Sequence, residues 1–77
     1  MKHFLEYVVR SLVDNPDDVQ VSEVSGSSET NFRIGLHPED VGLVIGKGGR
    51  TISAIRNVIN GANKTGAHLA VEVVENS

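Results

Sequence analysis

Four residues near the middle of this 77-residue chain, Gly46-Lys47-Gly48-Gly49, constrain its fold more than any other stretch. Apolar residues stand on both sides, Val44-Ile45 before them and Ile52 after. Three glycines in four positions interrupt a helix or a strand, so the backbone must turn here with almost no side-chain cover. A backbone bared in this way can bring its N–H groups close to a phosphate, and Lys47 and Arg50 place cations beside it.

Spacing decides among the phosphate loops. A nucleotide P-loop has four residues between its first glycine and a Gly-Lys-Ser/Thr triplet, and it follows a strand. Here Gly42 and Gly46 enclose three residues, Gly48 follows Lys47 where the magnesium-binding hydroxyl would stand, and a helical segment comes before. A dinucleotide fingerprint needs glycine where Thr51 stands and a βαβ unit behind it. Both readings fail. The pattern that remains is G-x-x-G at a helix–helix junction, with Ile45 and Ile52 as its apolar flanks and Arg50 directly after the second glycine.

The rest of the chain predicts six elements. Leu5, Val8, Val9 and Leu12 recur at helical spacing over residues 2–13, with Met1 and Phe4 at the margin, and Asn15-Pro16 ends that helix. A strand runs from about Val19 to Val24 or Ser25, Ser25 to Thr30 reads as a turn, and Phe32, Ile34 and Leu36 alternate as a half-buried strand. His37-Pro38-Glu39-Asp40 opens a short helix that ends at the glycines. A second helix spans about 49–63: Ile52, Ala54, Ile55, Val58, Ile59 and Ala62 fill one half of its wheel, and Arg50, Ser53, Arg56, Asn57, Asn60 and Lys64 the other. Gly66 serves as its stop, Ala67 to Val74 closes the chain as a strand, and Glu75-Asn76-Ser77 is expected to fray. The order α-β-β-α-α-β implies a two-layer α+β sandwich in one domain.

The extended pattern Ile45-Gly46-x-x-Gly49-x-x-Ile52, set inside a β-α-α-β core, resembles the KH domain, whose G-x-x-G loop clamps a short single-stranded stretch by its backbone. The preceding helix and strand match the type II arrangement. The resemblance covers nearly the whole chain, and with a single KH unit at this length it looks like the small bacterial KhpA (YlqC) family of RNA-binding proteins. It implies a mixed three-stranded sheet with helices on one face, one KH domain over 1–77, and no catalysis, cofactor or metal. Carried onto this chain, it makes Gly46 and Gly49 the points where backbone meets sugar-phosphate. Lys47, Gly48 and Arg50 complete the loop's RNA contact, Val41, Ile45 and Ile52 form an apolar floor or rim for bases, and Arg56 reaches backbone further along. For Ile45 and Ile52 core packing is an equal alternative, and for Arg56 and Lys64 so is a solvated helix face. The family further implies an RNA chaperone or post-transcriptional regulator tied to cell elongation and division. It also implies pairing with itself or with a larger KH/R3H partner of the KhpB/Jag type.

Charge supports a nucleic-acid reading that the bulk composition conceals. The net charge is −3, yet residues 41–71 hold Lys47, Arg50, Arg56 and Lys64 and no acidic residue. That stretch is +4, and the remainder, with three basic and ten acidic residues, is −7. Phe4, Tyr7 and Phe32 lie outside the loop, and Gly48 adds no side chain where one could contact a base. Weak, loosely specific, salt-sensitive binding follows. A protein-interaction module that keeps the fold without binding RNA is the alternative, and the acidic remainder favours it.

Other chemistries find little footing. There is no cysteine, so neither a disulfide frame nor a thiolate metal site. His3, His37 and His68 lack metal-ligand spacing. Asp14, Asp17 and Asp18 lack the length and closing glutamate of a calcium loop. Asn63-Lys64-Thr65 matches a glycosylation sequon that has no meaning in the cytoplasm. The first residues lack the apolar core of a signal peptide, and no run of eighteen apolar residues occurs, so a cytoplasmic protein is expected.

Overall fold

The computed structural model describes residues 1–26, 29–63 and 68–76. Helix α1 (Lys2–Leu12) is followed by a 3₁₀ turn (Pro16–Asp18) and strands β1 (Gln20–Ser25) and β2 (Glu29–Leu36). A second 3₁₀ turn (Pro38–Asp40) leads into the short helix α2 (Val41–Ile45), a third (Lys47–Gly49) into helix α3 (Arg50–Ala62), and β3 (His68–Glu75) follows. The expected order is present, and the sheet is mixed: central β2 runs antiparallel to β1 and parallel to β3.

Alternation along the strands assigns the faces. Val21, Ile34 and Val73 stand in register on one face, where Phe32 and Leu69 also lie, and this face packs beneath the helices. Leu5 and Val9, one turn apart on α1, meet Val44 of α2 and Ile55 and Ile59 of α3 over it. Ser22, Arg33 and Glu72 stand in register on the open face, with Arg33 Nε 3.3 Å from Glu72 Oε2. Helices on one face of a mixed sheet make this the type II KH arrangement.

Two expectations need correction. Glu29 and Thr30 belong to β2 rather than to the turn, paired with His68 and Leu69 of β3. The C-terminal residues Glu75 and Asn76 do not fray: Glu75 pairs with Leu36, the Asn76 N–H donates to the Leu36 carbonyl at 2.8 Å, and its side-chain amide donates to the Asp18 carbonyl at 2.6 Å. Those bonds join the end of the sheet to the turn before β1, a contact 58 residues apart that no local pattern encodes. The broad apolar half of α3 is only partly covered. Ile55 and Ile59 are buried, whereas Ala54, Val58 and Ala62 are exposed. Lys64, the Gly66 stop, Ala67 and Ser77 lie outside the described residues, as do Ser27 and Ser28.

Candidate nucleic-acid interface

The loop is built from backbone conformations that favour glycine. Gly46 ends α2 at φ 76°, ψ 171°, a region essentially closed to side chains, with its N–H donating 2.9 Å to the Gly42 carbonyl. Space forbids a side chain there too. A Cβ on Gly46 would stand 2.7 Å from Thr51 Cβ and 2.8 Å from the Thr51 nitrogen. Gly48 (φ 65°) and Gly49 (φ 77°) are left-handed as well, although nothing crowds them. Among the described residues these three glycines alone have positive φ. Gly48 therefore follows from the turn itself, a requirement that the G-x-x-G pattern does not express.

This turn leaves the start of α3 without a side-chain cap. The Arg50 N–H closes back on the Lys47 carbonyl, and no side chain accepts from the peptide N–H groups that follow at the positive end of the helix dipole. Lys47 and Arg50 are exposed beside it. Neither they nor Arg56 pair with a carboxylate among the described residues; the ion pairs found there are Arg10 with Glu6 and Arg33 with Glu72. Unpaired cations at an uncapped helix start form an anion-attracting surface.

The apolar candidates separate. Val41 and Ile52 are half-buried against the core, while Ile45 is half-buried without joining that packing. Val44 is fully buried and pins α2. Leu43, which sequence reasoning passed over, is 45% exposed; inside the run Val41–Ile45, periodicity could not tell which residue faced out. Arg56 is half-buried, and its carbonyl accepts from the Asn60 amide one turn later at 2.9 Å.

A further feature lies at the edge of β3. Asn60 donates to the Leu69 carbonyl at 3.0 Å and accepts from the Leu69 N–H at 3.0 Å, standing where another strand would pair. In a parallel ladder alternate residues point to the same edge. The peptide groups of Val71 and Val73 therefore face the same free edge, beside α2 and α3, which both pack on β3. Sequence reading had placed Asn60 on the solvated half of α3.

A positive-φ glycine turn, two cations that are unpaired among the described residues and an adjoining strand edge lie together on a β-α-α-β core. The family model described as KhpA/KhpB, KH domain, matches residues 2–73. The chain belongs to this family. Three relatives carry the name RNA-binding protein KhpA. The one from Clostridium acetobutylicum is 48% identical over 96% of this chain and 100% of its own length. The one from Mycobacterium leprae is 44% identical, covering 92% of this chain and 86% of the relative. The third, from Chlamydia pneumoniae, is 37% identical over 97% of each. The family is one of RNA-binding domains and not of enzymes. Among the described residues no three acidic, histidine or cysteine side chains group to hold a metal, and no helix is long and apolar enough to cross a membrane.

Proposed function

We propose that this chain is a cytoplasmic, single-KH protein that binds single-stranded RNA through Gly46-Lys47-Gly48-Gly49. The observation that carries the reading is the loop itself: three positive-φ glycines set Lys47 and Arg50, unpaired among the described residues, at the uncapped start of α3. Phosphate contacts position the strand, while Ile45 and the rim made by Val41 and Ile52 give bases an apolar surface. Arg56 extends the cationic track. With a few phosphate contacts, log affinity should fall with log salt at about −0.7 per contact. By the family resemblance, the role is that of an RNA chaperone or post-transcriptional regulator in cell elongation and division.

Pairing belongs to the same reading, with a second copy or with a KhpB/Jag-type KH/R3H protein. An apolar groove of about 280 Å³ between α1 and α3, lined by Phe4, Leu12, Thr51, Ala54 and Val58, supports it. Val58 is 53% exposed there, on the side of α3 that the sheet leaves uncovered. Two weak loops in one dimer would raise avidity without new contacts.

The test replaces Lys47 and Gly48 together by aspartate. Asp is tolerated in the left-handed region better than most residues, so the fold should survive. Binding of a fluorescent single-stranded RNA should weaken by roughly tenfold or more, because a cation is lost and two anions now face phosphate. Unchanged binding by the folded variant would sink the assignment. Sedimentation of the unmodified chain tests self-pairing, and a monomer at high concentration removes the homodimer.

A further inference from the structure

Asp40 is the one charged residue among the described residues whose side chain is buried, at 1% exposure, and the loop chemistry makes no use of it. It stands directly before α2 without capping it. Its carboxylate reaches instead to the turn after α1. Oδ1 accepts from the Asp14 N–H at 3.3 Å, and Oδ2 accepts from the Asn15 N–H at 2.9 Å and the Asn15 side-chain amide at 3.1 Å. These contacts bridge residues 25 and 26 positions apart.

Helix α2 has five residues, too few to define its own position. Val44 is buried in the core and Val41 is half-buried against it, apolar contacts without direction that leave a short helix room to rock. Asp40 adds a directional fixed point, at the end opposite Gly46. We propose that Asp40 is a positioning residue for RNA binding: by fastening the start of α2 to the Asp14-Asn15 turn, its carboxylate sets where α2 delivers the Gly46–Gly49 backbone. The proposal rests on the RNA-binding reading above and adds a residue that touches no RNA.

The chemistry specifies a carboxylate. Three donors converge on two oxygens, and an acid offers acceptors at both. In Asp40→Asn one oxygen becomes an NH₂ group facing an N–H donor, so at least one bond is lost and a donor–donor contact appears. Asn15→Ala is milder, removing one donor and leaving the charge in place.

The experiment compares Asp40→Asn, Asn15→Ala and a control, Val21→Ala, which hollows β1 without contacting the turn. Each is assayed where circular dichroism shows it fully folded. Expected for Asp40→Asn is a rise in Kd for single-stranded RNA of roughly three- to tenfold, the equivalent of about one hydrogen bond of lost preorganisation. The slope against log salt should stay unchanged, because no phosphate contact is removed. Asn15→Ala should shift Kd in the same direction by less, and it carries the test if Asp40→Asn does not fold. In Asp40→Asn, or in Asn15→Ala if it replaces it, amide resonances of Gly46, Gly48 and Gly49 should move, and in Val21→Ala they should stay. Unchanged Kd and unmoved glycine amides in the folded variant would overturn the proposal, as would an equal loss in Val21→Ala. If the unmodified chain binds no RNA, the RNA-binding reading fails, and the glycine amides still decide whether Asp40 positions the loop.

Discussion

The two ends of α3 carry polar residues that look alike in the sequence and do opposite things. At the C-terminal end Asn60 spends its amide on the protein, closing both peptide groups of Leu69 and the Arg56 carbonyl. At the N-terminal end the helix begins uncapped beside Gly46 to Gly49, and Lys47 and Arg50 have no carboxylate partner among the described residues. One end is satisfied and fixes the layer of helices to the sheet. The other is left with open donors and cations on an acidic body, which is the condition for recruiting an anion from outside. Polar satisfaction, rather than polarity, separates scaffold from proposed binding surface here.

The largest expected effect falls at the open end. Gly46→Ala meets both a backbone region that excludes side chains and the Thr51 side chain beneath it. The strain should cost about 1–3 kcal/mol, with overpacking adding a similar amount. Urea unfolding would show it as a lower midpoint at unchanged slope. Gly48→Ala, at a left-handed position in open space, should cost only about 1–2 kcal/mol. A Gly46→Ala protein as stable as Gly48→Ala would mean that Thr51 does not set the turn.

Next comes the satisfied end. Asn60→Ala leaves the Leu69 N–H and carbonyl without their partner in a part-buried site, so stability should fall by about 2 kcal/mol. The prediction that sharpens the contrast concerns binding: where the variant is folded, RNA affinity should change less than twofold, a few tenths of a kcal/mol. A tenfold loss would instead make Asn60 part of the binding surface and erase the distinction between the ends.

How much of this was legible beforehand follows from the range of each interaction. The alternation of Phe32, Ile34 and Leu36, the helical spacing of Leu5 and Val9, and the glycine turn are local patterns, and each appears where periodicity puts it. The polar fasteners are not local. Asp40 reaches back 25 residues, Asn60 forward nine and Asn76 back 58. Each reads as surface in a linear scan, because nothing in a neighbouring residue signals that a distant backbone group needs a partner. The helical wheel of α3 reports an apolar half too wide for one sheet face, and only the sheet's width decides that Val58 is the residue left exposed.

The smallest expected effect is a pH dependence, and it falls on Asp40. Burial pushes its carboxyl up, but the Asn15 side chain, the Asn15 and Asp14 N–H groups and the nearby charge of His37 together hold it below the ordinary carboxylate value. A carboxylate lowered on folding contributes stability that is fully present above its unfolded pKa, near 4, and is lost as pH falls through the lower folded value. The contribution is therefore complete at neutral pH and disappears only in acid. Other carboxylates also titrate there, so the useful quantity is the difference between the unmodified chain and Asp40→Asn. That gap in urea midpoint should persist above the unfolded pKa and close as the pH falls below 4. A gap unchanged down to pH 3 would mean that the ionised form is not what holds the Asp14-Asn15 turn to α2. The attachment of α2 would then rest on Val44 and on packing alone.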